Sequence, residues 1–188
     1  MGLINWRTFR DGPNVMGQAR GFMAMTPVVP GQEAELRACL ERLSQARSPL
    51  ARLPGTHFGR FVIVDQLEPE GERDPVVLPC SMLIFTACYD GAQDPFLDAL
   101  VRELATEARE IWGRCIGCHD PSGAALRDYL LHNQINSGFF VSGYKDASLP
   151  TVRSALENRA KVTDLAVRGQ TMSPSELRGA FESEFADA

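Results

Sequence analysis

The sequence predicts an α+β domain whose strands and helices follow the order βαββαβ, with an extra helix before the last strand and a helical tail. Two observations predict this fold class. Some segments are short apolar runs or runs of β-branched and aromatic residues, as in strands, and in other segments apolar residues recur every three or four residues, as in helices. Turns with Gly and Pro separate the segments. A chain of 188 residues with 44% hydrophobic residues is long enough to bury one core.

The first strand and the first helix are predicted at residues 21–29 and 32–43. The strand segment is short and apolar, and the turn Pro30-Gly31 ends it. The helix segment places leucines three and four residues apart on one face: Leu36, Leu40 and Leu43.

Two further strands are predicted at residues 57–65 and 76–89, joined by a charged turn at 68–74. Both segments are rich in β-branched and aromatic residues. In 57–65 both alternating sets contain apolar side chains, which is typical of a strand covered on both faces. We expect the two strands to pair as a hairpin.

The second half of the chain begins with the most regular helical pattern. Asp94-Pro95 is a favourable start, and the apolar residues that follow are spaced by three or four positions: Leu97, Val101, Leu104, Ala108 and Ile111. A short helix at 122–131 and a strand at 137–144 are predicted next.

Two helices end the chain. Pro150 begins a helix that extends to about residue 167, and the capping box from Ser173 to Glu176 begins a short last helix. The predicted divisions are an N-terminal extension 1–18, an α+β domain 19–169 and a C-terminal helical tail 170–188.

The predicted order is the split βαβ pattern of the ferredoxin-like fold. Such a sheet carries its two helices on one face and leaves the other face bare. Because both faces of the predicted hairpin are apolar, we expect another surface to cover the second face.

Two segments carry a resemblance to a known superfamily. Residues 53–65 (LPGTHFGRFVIVD) and 84–91 (IFTACYDG) resemble the second and third strands of uncharacterised bacterial members of the dimeric α+β-barrel superfamily, and the resemblance extends over about residues 19–169. It implies a homodimer in which two ferredoxin-like sheets enclose a small-molecule cavity. It also implies an oxidative enzyme of the monooxygenase or peroxidase kind, and a noncovalent haem with His132 or His57 as axial ligand is compatible with it.

Composition disfavours several classes of partner. The chain has 19 Lys and Arg against 24 Asp and Glu and no basic cluster, so we expect no nucleic-acid partner. It has no apolar run of 18 residues, so we expect no membrane span. Without a signal-peptide pattern, five cysteines are expected to be reduced thiols of a cytoplasmic protein: Cys39, Cys80, Cys88, Cys115 and Cys118.

His57 and Arg60 are the first candidate site residues, because they interrupt an apolar strand beside Gly59. His57 could act as an acid, a base or a ligand, and Arg60 could bind an anionic group. Strict alternation puts them on opposite faces unless a bulge intervenes. The alternative is structural: His57 bonded to a loop, and Arg60 paired with Asp90 or another carboxylate.

Cys115 to His119 forms a C-x-x-C-H string, which matches the haem-attachment motif and could also serve as a dithiol or part of a metal site. The alternative is a loop with incidental thiols. His132 ends the predicted helix 122–131, where an imidazole also interacts favourably with the helix C-terminus.

Two functions follow from these observations. The first is a dimeric α+β barrel that acts as an oxidoreductase on a small, largely apolar molecule, with His57 and Arg60 in its site and His132 as a possible cofactor ligand. The second is a non-catalytic dimerisation or partner-binding module. The motifs of α/β-hydrolases, P-loop proteins and dinucleotide-binding proteins do not occur.

Overall fold

The computed structural model describes residues 14–45, 48–67, 76–137 and 139–186. Within these residues the protein is α+β, as predicted, and its elements are four strands, six α-helices and two short 3₁₀ turns. They are β1 (Val15–Met16), β2 (Ala19–Pro27), α1 (Glu33–Gln45), a 3₁₀ turn (Pro49–Arg52), β3 (Thr56–Leu67), β4 (Val76–Asp90), α2 (Gln93–Glu103), α3 (Ala105–Ile111), a 3₁₀ turn (Trp112–Arg114), α4 (Gly123–His132), α5 (Leu149–Gly169) and α6 (Pro174–Glu184).

The chain forms two compact units, Met1–Asp146 and Ala147–Ala188. The first contains the sheet and helices α1 to α4, and the second contains α5 and α6. The sequence prediction instead kept residues 147–169 with the sheet and began the tail at residue 170. Residues 1–13 of the predicted extension lie outside the described residues, whereas Val15 and Met16 form the short strand β1. None of the described helices has the length and apolar character needed to cross a membrane.

The sheet is antiparallel throughout, with the strand order β1-β2-β4-β3. The three long strands were predicted. Their register places Phe22 opposite Ala87 on β4, and Phe61 of β3 opposite Phe85 of β4. The central strand β4 therefore links the first predicted strand to the second.

The predicted strand at 137–144 is wrong for the residues described there, none of which is in a strand. The chain meets the sheet earlier, where Met25 N–H donates to the Asn133 carbonyl at 3.0 Å and Ile135 N–H donates to the Met23 carbonyl at 2.9 Å. Beyond that point β1 occupies the edge of β2. Phe140 instead packs on the face of the sheet beside Gly21. A Cβ added to Gly21 would lie 3.0 Å from the Phe140 ring.

One helix prediction also needs correction. The single helix expected from Asp94 to Ile111 is two helices, α2 and α3, because the backbone at Leu104 leaves the helical region with φ −104° and ψ 23°. The predicted capping box at Ser173 is confirmed, with Glu176 N–H donating to Ser173 Oγ and Ser173 N–H donating to Glu176.

The core lies between one face of the sheet and helices α1 to α4. Phe85 of β4 is fully buried at its centre. Its ring stacks on Phe61 with centroids 4.8 Å apart and meets Trp112 edge-on at 5.6 Å. Aromatic rings bury a large apolar area, and stacked or edge-on contacts between them stabilise the core further.

The opposite face of the sheet, which we call the open face, is apolar but much less covered. Its members on the three long strands are half-buried or exposed: Met23, Met25, Phe58, Arg60, Val62, Val64, Met82, Ile84, Thr86 and Cys88. Phe58 is 55% exposed and Val62 is 38% exposed. The sequence expectation that the strands are apolar on both faces is thus correct. Within the described part of this chain the second face is covered by Phe140 at Gly21, which lies opposite Cys88, and has little other cover.

Candidate functional site

His57 lies at a β-bulge where β3 begins. The register shifts between Thr56, which is opposite Tyr89, and Phe58, which is opposite Cys88. A bulge inserts one extra residue and redirects a side chain. The His57 ring contacts the end of β4, with Nε2 2.7 Å from Asp90 Oδ1. Both side chains are less than one-fifth exposed, so the pair is shielded from water on most sides.

Asp90 continues the alternation of Cys88 and Thr86 on β4, so it belongs to the end of the open face. The bulge therefore brings His57 to the same face as Arg60, which strict alternation would have prevented. The structural alternative for His57 was a bond to a loop. The observed partner is instead Asp90, the last residue of strand β4. Asp90 was expected as a partner of Arg60, and it contacts His57 instead.

Arg60 is exposed on the open face and forms no ion pair with any residue in the described ranges. It lies opposite Thr86, which in turn lies opposite Met23 on β2. The Thr86 hydroxyl is buried and has no hydrogen-bond partner in this part of the chain. One row across an otherwise apolar face thus contains a guanidinium group and an unpaired hydroxyl, a feature that sequence reasoning missed at Thr86.

The Cys115 and Cys118 thiols are buried in the core. Cys115 Sγ lies 3.4 Å from Thr26 Oγ1, and its backbone pairs with Val28. Burial raises the pKa of Cys115 to about 11, and burial also raises the pKa of Cys118 to about 11, helped by nearby Asp120. Because the thiolate is the reactive form, this environment suits neither a dithiol redox pair nor covalent haem attachment.

The burial of these thiols yields a testable prediction. In the native protein at pH 8, we expect Cys115 and Cys118 not to react with a thiol reagent such as DTNB, and to react at once in urea. Peptide mass spectrometry would identify the labelled cysteines. Rapid native labelling of either thiol would contradict the prediction.

The raised pKa values of Cys115 and Cys118 predict that the protein becomes less stable as the pH rises. The folded state holds these protons more tightly than the unfolded chain, whose thiols have a pKa of about 8.5. Their contribution to stability is therefore complete below pH 8.5 and is lost as the pH rises toward 11. Urea unfolding at several pH values should show a smaller loss in a Cys115→Ala, Cys118→Ala variant, which lacks both titrating groups.

His119 and His132 are both exposed. His132 is the last residue of α4, in agreement with the predicted helix end. Within the described ranges, no group of three or more His, Cys, Asp or Glu side chains is arranged to hold a metal ion.

A haem does not fit the candidate ligands in this structure. His132 is exposed at the end of α4, a helix that packs on the sheet face opposite the open face. His57 Nε2 already contacts Asp90, which leaves Nδ1, the ring nitrogen nearer the backbone, for iron. We therefore derive no chemical step through haem.

Comparisons with known proteins return no match, whether with protein-family models, with curated proteins or with solved structures.

Proposed function

We propose that the protein is a small-molecule-binding homodimer of the dimeric α+β-barrel kind, in which the open faces of two ferredoxin-like sheets enclose the ligand. The observation that carries the proposal is the apolar open face. Its three strands, β2, β4 and β3, are adjacent and at least nine residues long. At usual strand spacing this is an area of roughly 14 Å by 30 Å, a size at which apolar patches mark interaction sites.

The occupant that fits this face best is a second copy of the chain. The open face is broad and continuous, and a second sheet offers an apolar surface of the same shape. A twofold axis would make the contact self-complementary. The ferredoxin-like assignment is supported by the order β2-β4-β3 of the three long strands and by residues 133–135, which lie beside β2 on its other side.

The polar groups on the open face support a ligand between the two sheets. Met23, Met25 and Met82 supply adaptable apolar walls, because methionine has a flexible and polarisable side chain. Arg60 supplies a cation without a partner in the described ranges. A largely apolar molecule with one acidic group is the ligand class that matches this combination.

The pair of His57 and Asp90 is the group that we assign to chemistry at this site. A carboxylate within hydrogen-bond distance orients the imidazole, which can then accept or donate a proton. The oxidative reaction and the cytoplasmic location that the sequence suggests stay predictions.

Sedimentation of Val62→Asp tests the proposal. Val62 is 38% exposed in the middle of β3, and a carboxylate there would be forced into the apolar contact between sheets. We expect the wild-type chain to be a dimer at about 10 μM, and the variant to dissociate with a Kd increased roughly a hundredfold, or about 2.7 kcal/mol.

Val29→Asp is the matched control, because Val29 is 37% exposed and lies outside the sheet. It should remain a dimer. A folded wild-type monomer at micromolar concentration, or a Val62→Asp dimer as stable as the wild type, would contradict the proposed interface.

A further inference from the structure

Helix α5 has two apolar sides, and the second has no cover in the described ranges. One side packs on α6, where Leu165 is buried and a Cβ added to Gly169 would meet Leu177 at 2.8 Å. The other side is about half a turn away and is exposed. It consists of Leu156, Ala160, Thr163 and Val167, flanked by Arg159 and Asp164. We call these four central residues the α5 stripe.

The α5 stripe has the spacing of a helix-pairing seam. Its residues follow one another at intervals of four, three and four, which are the a and d positions of a heptad. Leu156 is 57% exposed and Val167 is 63% exposed, although both are apolar residues at the ends of the stripe. The two central residues, Ala160 and Thr163, are small and allow a close approach of a second helix.

The flanking charges select both the partner and its direction. In this heptad Arg159 is at g and Asp164 at the following e position. When two such helices lie parallel, g of each helix faces the next e of the other, so a second copy gives two Arg159–Asp164 ion pairs related by symmetry. In the antiparallel arrangement e faces e, and Glu157 would then oppose Asp164, which is repulsive.

Both charged groups are available for such a contact. Arg159 has no side-chain partner in the described ranges. Asp164 is 64% exposed and contacts Arg168 of its own helix at 2.7 Å, which leaves its other oxygen open to a second cation.

We propose that α5 pairs in parallel with α5 of a second copy through the α5 stripe, as a second contact within the homodimer. The inference rests on the proposed function, because four side chains bury much less than the roughly 800 Å² per partner of a stable interface. Once the sheets hold two copies together, the helices meet at a high effective concentration. The two copies of a homodimer are related by one twofold axis, which both contacts must share. Two parallel helices are related by a twofold axis that runs along them, so the proposal requires α5 to lie parallel to the axis of the dimer.

Disulfide cross-linking of Leu156→Cys in the full chain tests the arrangement. In the parallel pair the two introduced thiols are in one layer, within the short Cβ–Cβ distance of a disulfide. In an antiparallel pair that brings Leu156 beside Val167, the two introduced thiols are roughly 16 Å apart along the axis. We expect mild oxidation to convert most chains to a covalent dimer, as shown on non-reducing gels.

Two samples serve as controls. Lys161→Cys places a thiol on the same helix away from the α5 stripe and should cross-link much more slowly. The wild-type chain, oxidised in parallel, reports any linkage through Cys80 or Cys88, which are half-buried. Cross-linking of Leu156→Cys no faster than Lys161→Cys, in a chain that sediments as a dimer, would overturn the α5 contact and leave the sheet interface standing. A monomeric wild-type chain would overturn both.

A charge reversal tests the ion pairs independently. Arg159→Asp should weaken dimerisation about tenfold, since two attractions become two repulsions. Asp164→Arg should have a similar effect, and the double variant should return to within about twofold of the wild type. A double variant as weak as the sum of the single changes would contradict the pairing of Arg159 with Asp164.

Discussion

Replacement of Phe85 by alanine is expected to lower the free energy of unfolding by about 3–5 kcal/mol. Phe85 is fully buried on the central strand β4. Its ring contacts Phe61, Trp112 and, with centroids 6.2 Å apart, Phe22. These partners come from both neighbouring strands and from the turn after α3, so a cavity at Phe85 cannot be closed by one local movement.

A loss of this size is a large part of the roughly 5–15 kcal/mol that stabilises a typical domain. Urea unfolding followed by tryptophan fluorescence would measure it, because Trp112 reports on the same core. Phe139→Ala is the matched control: Phe139 is 82% exposed, and its removal should change stability by less than about 0.5 kcal/mol. A loss below about 1.5 kcal/mol for Phe85→Ala would show that the core is not built around this ring.

The parts of the fold that could be predicted are those in which local signals and packing agree. Ser148 and Ser173 each lie just before a proline-containing first turn, and both cap the helices that follow. In β4 an uninterrupted apolar run from Met82 to Phe85 predicts a strand, and every second residue from Ser81 to Tyr89 is buried. In these segments each local preference leads to the same structure that the core requires.

The parts that could not be predicted depend on competition between distant segments. Residues 137–144 contain the aromatic and β-branched residues that are typical of a strand. Whether they pair depends on whether the edge of β2 is vacant, and β1 occupies part of it. The break at Leu104 is similar, because Leu104 continues the helical spacing and is 1% exposed. The helices on either side of the break have different neighbours, because α2 packs on α4 and α3 packs on α1.

The candidate site shows the same limit. His57 and Arg60 could be selected as polar interruptions of an apolar strand, but their relation to each other depends on the bulge at Thr56. Asp90 is 33 residues from His57 in sequence, and no spacing rule links them. The position of the Thr86 hydroxyl opposite Arg60 depends on the register of β3 against β4, which the sequence does not specify.

Replacement of His57 by alanine is expected to have two separable effects. Stability should fall by about 1–3 kcal/mol, because Asp90 loses a 2.7 Å contact in a largely shielded position. A double-mutant cycle with Asp90→Ala would isolate the coupling between the two side chains. A coupling energy near zero would mean that the contact does not hold the bulge to the end of β4.

The second effect concerns ligand binding, and it decides whether His57 belongs to the site. The probe is 8-anilinonaphthalene-1-sulfonate, an apolar molecule with one acidic group, titrated into folded protein at a temperature well below the melting point of each variant. We expect His57→Ala to raise its Kd about tenfold, which corresponds to about 1.4 kcal/mol, because the imidazole borders the open face at the end where Arg60 lies. His132→Ala, at an exposed position on α4, should leave the Kd unchanged. An unchanged Kd in folded His57→Ala would remove His57 from the site and limit its role to joining the start of β3 to the end of β4.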